Sequence, residues 1–188
     1  MDLQYGSIKL RAMEPEDANF LFQLLNNPDI EKMVVGKTYS VSEYEENNWI
    51  KNFHNSDQCI RWVIEHNDKT RIGTVILNDI NWINRTAEIG IKLDINNITR
   101  KHGDAKDAYY TTLQYAFDEL NLNKITATTL EYNEPSIKLH STMGFKLEGK
   151  LRQAVFKSGN YHNLIIFGLL REEFKRYTDG AAPWQQRT

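Results

Sequence analysis

Apolar positions along this chain change their period several times, and each change marks an element. Ile8-Lys9-Leu10-Arg11 alternates with a period of two, the pattern of a short strand with one buried face. Glu14-Pro15-Glu16-Asp17 follows, and then Ala18, Leu21, Phe22 and Leu25 recur at helical spacing. Proline suits a first helical turn, and acids suit the positive end of a helix dipole. A loop is expected over residues 26–39. Next comes a second helix, whose Ser42-x-x-Glu45 spacing predicts a capping box and whose apolar contacts are Tyr44, Trp49, Ile50 and Phe53. Segments 60–65 and 71–77 read as strands joined by the turn-prone Asn67-Asp68-Lys69-Thr70. After Asn84-Arg85, segment 86–93 completes a three-strand meander.

The second half continues in the same manner. After Gly103 a helix presents Ala105, Tyr109, Leu113, Ala116, Phe117 and Leu120 on one side. Segment 124–130 is β-branched and strand-like. Asn133-Glu134-Pro135-Ser136 opens a short helix that ends at Gly144, a residue type favoured just past a helix C-terminus. Segments 145–151 and 163–170 read as a closing hairpin around Ser158-Gly159-Asn160. Residues 178–188 lack periodicity, so a loose tail is expected there. The resulting order is βααβββαβαββ, with no internal repeat and no linker that splits residues 1–177.

Composition narrows the class. The chain has 188 residues, 40% apolar and 26% charged, which is ordinary for one globular domain and too short for two typical ones. A net charge of −2 supplies no global field for nucleic acid or membrane partners, so neither is expected. The single cysteine, Cys59, excludes an internal disulfide and is expected to be a buried thiol. No secretory signal or long apolar run is seen, and a cytoplasmic location is the expectation. No Cys-x-x-Cys or His-Glu-x-x-His pattern occurs, so no metal is expected.

The stretch 100–117 carries the chemistry. A strand-like run, Ala87-Glu88-Ile89-Gly90-Ile91-Lys92-Leu93, is followed by the basic turn Arg100-Lys101-His102-Gly103 and then by a helix. The free N–H groups of a first helical turn carry partial positive charge and hold phosphate well. On these residues alone, nucleotides and other phosphate ligands fit equally.

Two motifs in order then narrow the choice. Arg100-Lys101-His102-Gly103-Asp104-Ala105 resembles the Arg/Gln-x-x-Gly-x-Gly/Ala motif of the GNAT superfamily of acyl-CoA-dependent N-acyltransferases. Asn133 through Phe145, with Ser136, Leu139-His140 and Gly144-Phe145, resembles that family's Asn…Ser/Ala…Leu-Tyr…Gly-Phe pattern. The opening, residues 8–17, and the ending, residues 145–152 with 159–163, are similar to a branch containing ribosomal-protein N-terminal and spermidine N-acetyltransferases. The resemblance covers about residues 7–174. It implies a single α/β (α+β) domain, with a mixed central sheet of about seven strands flanked by about four helices, and acetyl-CoA as cosubstrate.

The resemblance also implies roles. Backbone N–H groups of Arg100, Lys101, His102, Gly103, Asp104 and Ala105 would hold the pyrophosphate of coenzyme A. A backbone N–H from the segment running through Ile91 to Leu93 would polarise the thioester carbonyl, and Asn133 would bond the cofactor arm. Gly90 is expected to mark a bulge that opens the cofactor slot.

Glu88 stands where the family often carries a glutamate near the acceptor. A free glutamate has a pKa near 4.3 and an alkyl ammonium near 10.4, so direct deprotonation is uphill by about 6 units. A relay through water, or proton uptake after attack, is the base role open to it; orientation of the substrate by its charge is the alternative. His140 occupies the place of the family's tyrosine, the acid that protonates the leaving thiolate, and imidazole can also donate. Asp104 is a second departure, since a carboxylate beside a pyrophosphate repels it. Its side chain is expected to point away, with Arg100, Lys101 and Lys106 compensating.

Acceptor choice is expected from residues 33–53, Trp82-Ile83-Asn84 and residues 156–163. Glu43, Glu45 and Glu46 suit a cationic amine, and equally suit a solvated helix face. Trp82 is a candidate acceptor contact, and both it and Trp49 also read as packing. The expected partner is a small-molecule amine, a polyamine or a peptide N-terminus, with an amino sugar less supported. A non-catalytic acyl-CoA sensor is the reading from another class, and assembly into a homo-oligomer is left open.

Overall fold

In the computed structural model, which describes residues 3–36, 39–97 and 103–174, the first alternating segment is strand β2 (Ile8–Arg11), preceded by a short strand β1 (Leu3–Tyr5). Three residues are too few to display a period, so β1 was not readable in the pattern. Helix α1 (Ala18–Leu25) follows the proline-led turn Pro15–Asp17. Helix α2 (Pro28–Met33) occupies part of the expected loop. The Asn27 side chain caps it, accepting from the N–H groups of Asp29 and Ile30, and Pro28 is its first residue. In helix α3 (Glu43–Asn52) the capping box is formed: Ser42 Oγ accepts from Glu45 N–H, and the Glu45 carboxylate accepts from Ser42 N–H.

Strands β3 (Ile60–His66), β4 (Arg71–Asn81) and β5 (Thr86–Leu93) form the antiparallel meander. Helix α4 (Asp104–Gln114) runs on into one wide turn at Tyr115–Glu119. Strand β6 (Lys124–Leu130), helix α5 (Glu134–Thr142) and the hairpin of β7 (Lys146–Lys157) with β8 (Asn160–Leu170) complete the order. The hairpin turns at Ser158-Gly159, both with positive φ (51° and 83°), as the expected turn requires. Among the described residues no helix is long and apolar enough to cross a membrane.

Among the described residues the strands form one mixed sheet of eight in the order β1-β2-β3-β4-β5-β6-β8-β7, in keeping with the expected sheet of about seven. Helix α4 packs across β1, β2, β4 and β5. Its Ala108 and Leu113, with Ala116 and Phe117 of the wide turn, enter a core with Val75, Leu77, Ile89 and Ile125. Ala18, Leu21 and Ile50 join α1 to α3 in a second cluster. Beside them Asp17 is fully buried. It accepts from Arg11 at 2.7 and 2.8 Å, from Arg71 at 2.7 Å and from the Glu14 N–H at 2.8 Å.

One feature of the sheet creates the site. Neighbouring strands run antiparallel throughout except β5 and β6, which are parallel and pair only at Thr86–Lys124, Ala87–Ile125 and Glu88–Thr126. Past Glu88, β5 stays with β4 as far as Leu93 opposite Gly73, and β6 stays with β8 as far as Leu130 opposite Leu164. The two strands therefore diverge into a wedge with Glu88 at its apex. The expected bulge at Gly90 is not the cause. The β4–β5 register runs unbroken from Gly73–Leu93 through Ile76–Gly90 to Asn78–Glu88, and its irregularity falls between Asn78 and Asn81.

Gly73 is the glycine this geometry needs. A Cβ there would lie 2.3 Å from the Lys92 carbonyl oxygen and 3.0 Å from Leu93 Cα. Gly73→Ala is expected to push the end of β5 aside at a cost of about 1–3 kcal/mol. Thermal unfolding would register this as a fall of several degrees in Tm. An unchanged Tm would mean that β5 has room to give.

Candidate active site

The wedge opens into a cavity of about 420 Å³. Its walls come from β5 (Glu88 to Lys92), from β6 (Thr128, Thr129), from α4 (Tyr109) and from α5 (Ser136, His140). A second cavity of about 340 Å³ adjoins it and shares Leu24, Leu25, Val34, Glu46, Arg61 and Lys92 with the first. The second cavity thus lies against the first across a shared wall, on the side of α1, α2 and α3.

Glu88 lines the wedge cavity and accepts a 2.6 Å hydrogen bond from Thr128 Oγ1. That bond crosses between the strands just where their pairing ends, and it aims the carboxylate. Ile91 also lines the cavity, whereas Leu93 packs against the main core. Beyond Glu88 the inner edges of β5 and β6 have no strand between them among the described residues. Such edges suit an extended, amide-bearing ligand, which can pair with them as a strand would.

Asn133 lines the cavity as the cap of α5. Its Oδ1 accepts from Ser136 N–H at 3.1 Å and its Nδ2 donates to the Met33 carbonyl at 2.7 Å, tying α5 to the end of α2. His140 is 2% exposed, and its Nε2 lies 2.9 Å from the Tyr109 hydroxyl. Burial pushes its imidazole down from 6.5 to about 4, so the ring is neutral near pH 7.

Of the turn expected to hold phosphate, Arg100, Lys101 and His102 lie outside the described residues; the tail 178–188 also lies outside them. Gly103 caps α4 at φ +114°, a left-handed conformation suited to glycine, with open space where a side chain would sit. Ala105 lies in the first turn of α4. The Asp104 carboxylate is buried and meets His66 Nε2 at 2.9 Å, at the end of β3. It is therefore engaged with the protein interior and not displayed at the helix N-terminus. Burial, together with the Asp104 charge, pushes Asp107 up to about 6.

Among the proposed acceptor contacts, Glu46 is buried at 3% exposure and lines both cavities. Glu43 is exposed on the first turn of α3 and lines neither. Trp82 is 38% exposed in the β4–β5 turn, where its indole N–H donates to the Asp57 carbonyl at 2.7 Å, and it too lines neither. Trp49 instead lines the second cavity and stacks under Arg61, whose guanidinium carbon is 5.1 Å from its ring centre.

The structure thus gathers Glu88, Ile91, Asn133, His140 and Glu46 around one cavity. It adds three residues that sequence reading did not single out: Thr128, Arg61 and Tyr109. For Tyr109 a signal existed. A tyrosine on an otherwise apolar, core-facing stripe needs a partner for its hydroxyl.

A wedge between the only parallel strands among the described residues, a glycine-capped helix beside it and a carboxylate at its apex have the form expected of an acyl-CoA-dependent N-acyltransferase. Residues 7–146 match the family model of an acetyltransferase (GNAT) domain, and the chain belongs to that family. It is an N-acetyltransferase, and acetyl-CoA is its cosubstrate. Its relatives include the SPbeta prophage-derived uncharacterized N-acetyltransferase YokL of Bacillus subtilis, 31% identical over 169 residues, covering 90% of this chain and 93% of YokL. The spermidine N(1)-acetyltransferase of Vibrio cholerae is 30% identical over 169 residues, covering 90% of this chain and 96% of that protein. The crystal structure of spermidine N-acetyltransferase from V. cholerae in complex with CoA and spermine resembles this fold with a TM-score of 0.81 at 30% identity, covering 90% of this chain and 98% of that one.

Proposed function

We propose that this enzyme transfers an acetyl group directly to a primary amine of a small molecule or polyamine. The observation that carries the reading is the pair of adjoining cavities with a carboxylate in each part: Glu88 at the apex of the wedge and buried Glu46 in the shared wall. A cationic amine entering past Glu46 would meet Glu88 at the thioester end. Likeness to spermidine N-acetyltransferases supports the same choice.

In this reading the chain's own groups divide the work. The basic turn, Arg100, Lys101 and His102 with Gly103 and Ala105, holds the pyrophosphate by backbone N–H groups and charge. The free edges of β5 and β6 hold the pantetheine arm, with Asn133 beside it. A backbone N–H near Ile91 polarises the thioester carbonyl. Glu88, aimed by Thr128, takes the proton that the amine nitrogen gives up once it has bonded to carbon.

Arg61 and Lys92 favour a second reading. Both line the shared wall, and the Arg61 Nε is buried without a hydrogen-bond partner among the described residues. Cations there repel a polyamine and suit an acceptor with a carbonyl or carboxylate near its amine, as at a peptide N-terminus. A panel of polyamines, amino sugars and N-terminal peptides, assayed by thiol release, separates the two. Polyamines are expected to lead in kcat/KM by about tenfold or more. Peptides in the lead would select the second reading, and coenzyme A binding with no turnover would select a sensor.

A further inference from the structure

We infer that Tyr109, held by His140, is the group that hands a proton to the departing coenzyme A thiolate. This rests on the acyl-transfer reading above, and it assigns the acid to α4, whereas the family resemblance places it on α5.

The two side chains come from helices that are separate in sequence and meet at 2.9 Å between Tyr109 Oη and His140 Nε2. Both are buried, and both line the wedge cavity together with Glu88 and Ile91. The imidazole is packed among aromatic rings, with centroids 5.5 Å from Phe145 and 5.0 Å from Phe167. A phenol and an imidazole buried in such surroundings cost stability unless each satisfies the other. Apolar residues would fill this space without that demand. The pair meets that demand at 2.9 Å, and it does so on the cavity wall, within reach of a molecule bound there.

The direction of the hydrogen bond follows from the other ring nitrogen. His140 Nδ1 is buried and has no partner among the described residues. A hydrogen on Nδ1 would be a buried donor with no acceptor. The tautomer with its hydrogen on Nε2 leaves only a lone pair there. In that tautomer Nε2–H donates to Tyr109 Oη, and the phenolic hydrogen is left for the cavity.

Charge state supports this division. Burial and the nearby Glu88 charge push the Tyr109 phenol above its ordinary range, so it is protonated when the thioester breaks, and transfer to sulfur depends on the His140 Nε2–H offsetting the cost of the phenolate. His140, held neutral, steadies the oxygen through its N–H without itself being an acid near pH 7. As the carbon–sulfur bond breaks, its electron pair goes to sulfur and Tyr109 passes its proton there. The phenolate is held by His140 Nε2–H, and it recovers a proton from the nitrogen through Glu88 and water. One nitrogen–carbon bond forms, one carbon–sulfur bond breaks, and the net transfer is one proton from nitrogen to sulfur.

The test uses wild type, Tyr109→Phe, His140→Phe and the double variant, with an accepted amine from the panel and saturating acetyl-CoA. Tyr109→Phe is expected to lower kcat by about 30- to 100-fold and to leave the KM for acetyl-CoA within about threefold. The double variant should be no slower than about twice the loss of Tyr109→Phe alone, because the two residues act as a unit. The wild-type kcat should show no fall as pH rises through 6.5. A second readout needs no turnover: thiolate absorbance gives the pKa of bound coenzyme A, expected to rise by about one unit in Tyr109→Phe as a donor to sulfur is lost.

Unchanged kcat and thiol pKa in Tyr109→Phe would overturn the assignment while leaving acyl transfer intact. So would a rate that falls through pH 6–7 and depends on His140 alone, which would make the imidazole the acid. A wild-type protein that binds coenzyme A and acetylates no amine would overturn both readings together.

Discussion

Glu88→Gln is expected to lower kcat by about 10²- to 10³-fold while coenzyme A affinity stays within about twofold. The substitution is nearly isosteric, and a glutamine side-chain oxygen can still accept from Thr128 Oγ1, now at 2.6 Å from the carboxylate. Position at the wedge apex is therefore kept, and what is lost is a proton acceptor with negative charge. The two roles open to Glu88 separate in steady-state kinetics. A relay lowers kcat with the amine KM little changed. A purely orienting charge raises the amine KM and leaves kcat nearly as it was. Equal kcat in the variant and wild type would remove Glu88 from the chemistry.

Asp17→Asn is expected to lower stability by about 2–3 kcal/mol, a fall in Tm of several degrees. The carboxylate is fully buried and serves Arg11, Arg71 and the Glu14 N–H at once, joining β2, β4 and the turn into α1. Asparagine has nearly the same shape but leaves two guanidinium groups facing a neutral amide, with Arg11 retaining only Glu65 at 2.6 Å as its ionic partner. The guanidinium groups keep some solvent, which limits the cost, but the buried carboxylate site loses its charge-assisted hydrogen bonds.

The same carboxylate gives stability a pH dependence of defined sign. Burial alone would raise its pKa. Hydrogen bonds from Arg11 and the Glu14 N–H, with the charges of Arg11 and Arg71, outweigh burial and lower it. The folded state therefore binds this proton more weakly than the unfolded state. The contribution is complete above a pH of about 4 and is lost as pH falls through the lower folded value. Urea denaturation at a series of pH values should show a shallower acid loss in Asp17→Asn. Parallel curves would mean that other groups carry that slope.

Much of the fold was readable because its signals are local. Period-two runs marked β2 and the meander, Ser42-x-x-Glu45 marked the start of α3, and Asn133-Glu134-Pro135 marked α5. The elements missed, β1 and α2, have three and six residues, too short for a period to show. Asn133 and His140 were legible from a short motif and Glu88 from its place in a strand of the resembled family, and all three line one cavity. Glu43 and Trp82 were picked out on side-chain type, and neither reaches it.

The sequence by itself determined the longer elements, their order and the family, since capping, turn chemistry and periodicity act over a few residues. Only the tertiary structure decided how β5 and β6 part after Glu88, that Asp104 is engaged by His66 from 38 positions away, and that Tyr109 and His140 meet across 31. A hydroxyl on an apolar helix face announces that it needs a partner. Which partner it finds is settled by how two helices pack on a twisted sheet, and no local pattern encodes that.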